Sequence, residues 1–191
     1  MPKQQSPFEP QRPSLPEGLK YQADFLTRAE EDALVQEFAT LPFKPFEFQG
    51  FVGKRRVLSY GWRYDFNGGG LQKIEDMPAF LLPVRAKAGA FAGITASDLP
   101  HVLLTEYPPG ATIGWHKDRG VFGRVVGISL LAPCVFRLRR KAGAKWERAS
   151  FTAAPRSAYL LDGPARTQWE HSIPAVQALR YSITFRTLKE R

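Results

Sequence analysis

Arg180-Tyr181-Ser182-Ile183-Thr184-Phe185-Arg186 alternates strictly between polar and apolar side chains. Successive residues of a strand point to opposite sides, so the segment has two unlike faces. Arg180, Ser182, Thr184 and Arg186 share one; Tyr181, Ile183 and Phe185 share the other. Two settings accommodate such a strand. On an open antiparallel sheet the polar row faces water, the commoner arrangement. In a barrel-like fold the same row lines an interior pocket, where the planar fork of arginine suits a carboxylate.

Working outward, most of the chain reads as short strands separated by turns. The candidates are Phe46–Phe51, Arg55–Trp62, Val102–Tyr107, Val125–Leu130, Val135–Arg139, Trp146–Phe151, Ala158–Leu161 and Arg180–Leu188. Pro108-Pro109-Gly110, Ala142-Gly143 and Asp162-Gly163-Pro164 mark turns between them. Thr27 with Glu30 forms a capping box and predicts a helix over Arg28–Leu41. A second helix is expected over Met77–Phe91, capped by Asp76 and kinked or split at Pro83. Strands following an early helix predict a mainly β domain with flanking helices, a two-sheet jelly roll.

Length and composition set the outer limits. A chain of 191 residues with 43% hydrophobic and 13% aromatic residues suits one globular domain. Met1–Pro16 is polar and proline-rich without an apolar stretch, so it is expected to be a flexible tail rather than a secretory signal, with the domain occupying residues 17–191. No apolar run approaches membrane-spanning length, so no membrane partner is expected. The single cysteine, Cys134, excludes an intramolecular disulfide and a cysteine-based cluster, and fits a reducing, cytoplasmic setting. The net charge of +9 favours a polyanionic partner, nucleic acid first. That charge gathers in Lys54-Arg55-Arg56 and in Arg137, Arg139, Arg140 and Lys141.

Two of the three histidines stand beside chemistry-bearing neighbours. His116 and Asp118 are two apart and so point the same way on an extended segment. His171 follows at a distance. Two imidazoles and one carboxylate cover one face of an octahedral iron and leave positions for a co-substrate and dioxygen. His-x-Asp alone is a weak signal: His116 fits a surface histidine, His171 a core histidine, and a zinc hydrolase uses the same three ligand types. Arg180 and Arg186, shortly after the last ligand, favour an anionic co-substrate. The set points to a non-haem Fe(II) oxygenase that consumes 2-oxoglutarate and O2.

Tyr107-Pro-Pro-Gly110, His116-Lys-Asp118, Val126-Gly-Ile-Ser-Leu130, Glu170-His171 and Arg180-x5-Arg186 together resemble the AlkB family of 2-oxoglutarate/Fe(II) dioxygenases, over about Arg55 to Lys189. The resemblance implies a double-stranded β-helix with iron inside one end. It implies that His116, Asp118 and His171 bind iron and that Arg180 pairs with the distal carboxylate of 2-oxoglutarate. Tyr107 would hydrogen-bond that co-substrate, and Arg186 would lie near its metal-chelating end. Thr105 stands where many family members have asparagine, with a shorter reach. Acidic residues often follow the metal aspartate in the family; here Arg119 and Gly120 do, which bears on the substrate more than on the chemistry.

The segment from Arg55 to Gly70 mixes bases and aromatics, a combination that grips phosphates and stacks on nucleobases. The resemblance implies a substrate-recognition lid here; Trp62 and Tyr64 are the candidate base contacts, Arg55 and Arg56 the candidate phosphate contacts, and Gly68, Gly69 and Gly70 its expected mobile part. An ordinary hairpin with Trp62 and Tyr64 in the core is the competing reading. Trp115 and Trp169, next to the histidines, are expected to pack the metal site. The resulting expectation is a monomeric oxidative dealkylase of N-alkylated bases in DNA or RNA. The alternatives are a protein or small-molecule hydroxylase of the same cofactor class, or a non-catalytic basic nucleic-acid-binding jelly roll.

Overall fold

The computed structural model describes residues 15–48, 50–66 and 68–189. The expected tail, Met1–Pro16, falls outside these apart from Leu15 and Pro16. The chain opens with β1 (Leu19–Gln22) and α1 (Arg28–Phe38). Then come β2 (Lys44–Phe48), β3 (Phe51–Tyr60), β4 (Trp62–Asp65), β5 (Gly70–Lys73) and α2 (Leu82–Ala92). Next are β6 (His101–Tyr107), β7 (Ile113–His116), β8 (Phe122–Leu131), β9 (Cys134–Ala142), β10 (Lys145–Ala153) and β11 (Ala158–Leu161). The chain closes with α3 (Gly163–Thr167), β12 (Glu170–Ile173) and β13 (Arg180–Leu188).

Every strand pairing is antiparallel. Seven strands form one sheet in the order β1-β11-β8-β13-β6-β3-β2, four form a second in the order β10-β9-β12-β7, and β4 pairs with β5. Alternation sorts the larger sheet into two burial layers. Tyr181, Ile183 and Phe185 join Val102, Leu104, Val126, Ile128 and Leu130 in a core with Leu34 and Phe38 of α1 and Val84 and Ala88 of α2. The opposite side faces the smaller sheet, and Tyr107, Val125, Tyr159 and Leu161 pack there against Phe136, Leu138 and Ile173. The helices thus cover one outer side of a two-sheet sandwich, as expected. The polar row of β13 does not face water. Arg180, Ser182, Thr184 and Arg186 are 0%, 3%, 8% and 8% exposed, because β13 is central and its polar side lies between the sheets.

Several boundaries differ from expectation, each for a local reason. Thr27 caps α1 as predicted, with its Oγ1 accepting from the Glu30 N–H at 3.2 Å and Glu30 accepting from the Thr27 N–H at 2.7 Å. The helix ends at Phe38 rather than Leu41, with Ala39 at its C-cap. The expected helix Met77–Phe91 is split next to Pro83, into a 3-10 turn over Ala79–Leu81 and α2, and Asp76 caps neither; α2 itself is not broken by Pro83. It sits in the first turn, where its missing N–H costs nothing, and α2 runs unbroken from there to a left-handed Gly93. The expected strand Phe46–Phe51 is divided between two strands, Phe46–Phe48 ending β2 and Phe51 opening β3. Asp162-Gly163-Pro164 starts α3 instead of making a bare turn, Asp162 accepting from the Gly163 N–H at 2.8 Å. β1, β5, β7 and β12 are four residues each and mix polar with apolar residues, so they lack the apolar run that marks the equally short β11.

The expected strand Arg55–Trp62 breaks at Gly61, whose φ is +76° and whose missing Cβ leaves room for the Pro100 carbonyl oxygen. Gly61→Ala should therefore destabilise the protein by more than about 2 kcal/mol, left-handed strain and steric overlap acting together. Gly50→Ala, at φ +80° but with open space around it, should cost about 1–2 kcal/mol. Denaturant midpoints of the two variants check the difference.

Candidate active site

His116 ends β7 and His171 lies in β12, directly opposite it in register. Their rings stand 4.3 Å apart, centroid to centroid. Asp118, two residues beyond His116, brings its carboxylate to the same place, and the ligand atoms of the three residues lie within 4.8 Å of one another. The His116 Nδ1–H donates to the Gly114 carbonyl at 2.9 Å, which leaves Nε2 free as a ligand atom. His171 stacks on Phe136 at 5.1 Å and 16°, so its ring is locked in orientation. Two imidazoles and a carboxylate converging in this way fit a hard-to-borderline metal with open positions, as iron requires.

The electrostatics fit a resident cation. Burial alone would raise the Asp118 carboxyl, but Arg186 beside it, with His171 and His116, holds it well below the ordinary carboxylate range. Arg186 Nη2 donates to Asp118 Oδ1 at 3.2 Å, and both side chains are about nine-tenths buried. Burial, and then His116, push His171 down to about 3, so it is neutral and ready to ligate over the whole ordinary pH range. The third histidine, His101, faces Arg186 across the β6–β13 ladder and stacks near Phe122 at 4.6 Å. Burial, with Arg186 second, keeps it far below its usual value, and it is not one of the three clustered ligands.

Arg180 occupies the other end of the same polar row. It is fully buried, its Nε donates to Ser129 Oγ at 2.9 Å, and its guanidinium carbon lies 4.7 Å from the Tyr107 ring centre. Tyr107 is its partner in register on β6. Both terminal nitrogens, Nη1 and Nη2, are buried with no partner. Buried guanidinium donors are costly to leave unmet, and two parallel free donors match one carboxylate. Thr105 is buried two residues before Tyr107, on the same side of β6, opposite Ser182.

The residues expected on the substrate side divide. Tyr64 lies in β4 beside Phe66, with ring centres 5.1 Å apart. Phe46 and Phe48 close on Phe66 at 6.0 and 5.5 Å. Arg55 lies 3.7 Å over Phe46 and donates to the Thr112 carbonyl at 3.3 Å, just before β7. Trp62 is half-buried in β4, and Gly68 and Gly70 form the β4–β5 turn at φ +105° and +63°. Arg56 does not join this group. Its guanidinium forks onto Glu106 at 2.7 and 2.9 Å, and Glu106 also accepts from Tyr181, whose ring is on the helix-covered side. As β3 neighbours, Arg55 and Arg56 must point to opposite sides, so the expected pair of phosphate contacts is reduced to one.

Other site residues were not singled out from sequence. Arg119, noted only as a departure from the family pattern, lies 5.2 Å from the Tyr64 ring and 4.9 Å from Phe66, tying the aromatic cluster to the metal loop. Arg166 in α3 donates to the carbonyls of Gly123, Phe122, Arg119 and Asp118, at 2.8, 2.7, 2.8 and 3.3 Å, and so holds that loop closed. Nothing in the sequence around Arg166 marks it, because its acceptors are backbone. Trp115 does not pack the metal site. Adjacent to His116 in a strand, it points out of the sandwich, against Arg137 and Arg139. Trp169 is buried in the core between the sheets, under Arg140.

Comparison with known proteins supplies an independent line. A family model described as the 2OG-Fe(II) oxygenase superfamily matches residues 18–186. The chain is 27% identical over 183 residues to an Arabidopsis thaliana alkylated DNA repair protein ALKBH8 homolog, covering 82% of this chain and 51% of the relative. It is 28% identical over 210 residues to the human alpha-ketoglutarate-dependent dioxygenase alkB homolog 4, covering 90% of this chain and 67% of the relative. The chain thus spans about half of the first relative's length and two thirds of the second's. The solved structure of OsALKBH1 superposes with a TM-score of 0.69 at 14% identity, covering 91% of this chain and 98% of that one, so the fold is the jelly roll of that protein.

The ion pair makes a specific prediction. Asp118→Ala strips the buried Arg186 of its partner and should cost about 3–5 kcal/mol in the metal-free protein. Asp118→Asn keeps a hydrogen-bond acceptor and should cost markedly less, while still removing the anionic ligand. Urea unfolding of the metal-free variants, with Fe(II) binding measured separately, checks both parts.

Proposed function

Because the chain belongs to the 2OG-Fe(II) oxygenase superfamily, with AlkB homologues as its relatives, we propose that it removes alkyl groups oxidatively from nitrogen atoms of nucleic-acid bases. It is a dioxygenase whose cofactors are Fe(II), 2-oxoglutarate and O2. The observation that carries the reading is the pairing of a His-Asp-His cluster with a fully buried arginine whose two terminal nitrogens are unmet.

His116, Asp118 and His171 would hold the iron. Arg180 would take the distal carboxylate of 2-oxoglutarate through Nη1 and Nη2, while Ser129 fixes its Nε from behind. Tyr107, across the ladder from Arg180, would contribute its hydroxyl to the same ligand. The bound pair supplies the oxidation: 2-oxoglutarate and O2 are consumed to succinate and CO2, and a hydroxyl is placed on the alkyl carbon. A hydroxylated carbon on nitrogen then collapses, releasing an aldehyde and the unmodified base. The chain's own part is positioning and exclusion. Arg186 keeps Asp118 ionised and aimed, and Arg166 holds the loop that carries it.

Nucleic acid is supported by the surroundings of this cluster as well as by the relatives. Arg55 and Arg119 each lie against an aromatic ring next to the metal loop, a pairing of cation and stacking surface suited to phosphate and base. Trp62 and Tyr64 are the proposed base contacts. A base in duplex would have to be flipped out, at a cost of a few kcal/mol.

The test is aldehyde release from a panel of N-methylated single-stranded oligonucleotides with Fe(II) and 2-oxoglutarate. Formaldehyde equal to the succinate formed is the expected result. Hydroxylation of a peptide with none of the oligonucleotides turned over would overturn the substrate assignment. Arg180→Lys should raise the KM for 2-oxoglutarate roughly 10- to 100-fold, because a point charge replaces a two-donor fork at about 1.5–3 kcal/mol. An unchanged KM would remove Arg180 from the co-substrate site.

A further inference from the structure

We propose that the outward side of the four-stranded sheet is a second contact surface for a single strand of nucleic acid, with Arg137, Lys141 and Arg148 gripping phosphates and Trp146 stacking a base. The proposal rests on nucleic acid being the substrate and extends it beyond the mouth of the site.

Register defines the surface. On β9, Phe136 and Leu138 point into the sandwich, so Val135, Arg137, Arg139 and Lys141 point out. Opposite these four on β10 stand Thr152, Ser150, Arg148 and Trp146. Opposite Arg139 and Arg137 on β12 stand Glu170 and Ser172. Trp115 completes the row on β7, since its neighbour His116 points inward. The β10 residues of this row are solvent-exposed, Trp146 by 42%, and Val135 is 44% exposed. Among the described residues, α1 and α3 pack against β8 of the larger sheet, on the far side of the sandwich from this surface or at its end.

Its chemistry is not that of an ordinary wet sheet. Four cations share the surface with one carboxylate, Glu170, which is already committed to Arg139 at 2.6 Å. Arg139 and Arg148 are directly opposite each other in register, a like-charge pair that costs stability unless an anion lies between or over them. The two tryptophans are arranged around Arg139, whose guanidinium carbon is 4.4 Å from both the Trp115 and the Trp146 ring centres. One side of the Trp146 ring is thus held by a cation while the ring remains exposed. A phosphate backbone supplies the missing negative charge, and its bases supply flat partners for an exposed indole.

The surface also connects to the site. β7 is the edge strand of the four-stranded sheet, and it runs from Trp115 through His116 into Lys117, Asp118 and Arg119. Arg119 then lies against Tyr64 and Phe66. One strand passing around the edge at β7 would meet the outward Arg/Trp row on one side and the aromatic cluster beside the iron ligands on the other.

The experiment uses the full chain and a fluorescein-labelled, unmodified oligothymidine of about 16 nucleotides, the upper end of a single-strand site. Binding is read by anisotropy across a salt series. The double variant Lys141→Gln/Arg148→Gln should bind at least about tenfold more weakly at low salt and lower the salt slope by about 1.4. The control double variant Lys20→Gln/Arg28→Gln, equal in charge but on β1 and α1, should change the slope far less. Trp146→Ala should weaken binding roughly 5- to 100-fold and Trp146→Phe should restore most of it, a rescue that separates stacking from misfolding. Turnover of 2-oxoglutarate without nucleic acid should be unchanged in all of these. If the sheet variants match the control while the wild type binds and Arg55→Gln does not, the strand is held at the site mouth alone and the second surface is refuted, with the nucleic-acid reading intact. If the wild type binds no oligonucleotide and releases no aldehyde from methylated ones, both proposals fall together.

Discussion

The site depends on one buried ion pair, Arg186 with Asp118. A carboxylate moved between two packed sheets loses its hydration and would rather be neutral. Arg186 reverses that preference and also fixes which way the carboxylate points. The guanidinium is itself out of water, so each charge is tolerable only because the other is there. The metal position is thereby coupled to the strand β13, the central element of the larger sheet, rather than left to the loop that carries Asp118. That loop has a second restraint, the guanidinium of Arg166, which bonds the carbonyls of Asp118 and Arg119 in the loop and of Phe122 and Gly123 at the start of β8.

β13 carries the two arginines six residues apart, a distance of about 20 Å along a strand. This spacing separates their tasks. Arg186 pairs with Asp118 at one end; Arg180, beside Tyr107 and Ser129, keeps two unmet buried donors at the other. The intervening Ser182 and Thr184 keep the row between them small and polar. The opposite side of the strand, with Tyr181, Ile183 and Phe185, is packed under the helices. One strand therefore anchors the core on one side and the chemistry on the other, which is why the helix layer matters to a site it does not touch.

Arg119 and Gly120 follow Asp118, where the resemblance to the AlkB family often brings acidic residues. In the structure Arg119 has a definite place, against the rings of Tyr64 and Phe66, so a cation links the metal loop to the aromatic cluster. Arg55 and Arg119 thus place positive charge against the aromatic rings next to the loop that carries Asp118.

The grouping of His116 with Asp118, the polar row of β13 and the β architecture were legible in the sequence because each rests on a short-range rule. His116 and Asp118 follow from the two-residue repeat of an extended segment, the α1 start from a reciprocal cap, and β13 from seven strictly alternating residues. The same two-residue rule applied to Trp115 and to Arg56 would have turned both away from the site, where local grouping had placed them. What the sequence could not reveal depends on partners far along the chain. Whether the polar side of β13 met water or a sealed interior was settled only by its central place between β8 and β6, under a second sheet. Arg166 bonds to carbonyls more than 40 residues away, and backbone acceptors leave no mark on composition. The Arg/Trp row on the outward side of the smaller sheet needs β7, β9, β10 and β12 brought side by side, and two of those strands are only four residues long. Local order is written in spacing; burial and charge pairing exist only once distant strands have been brought together.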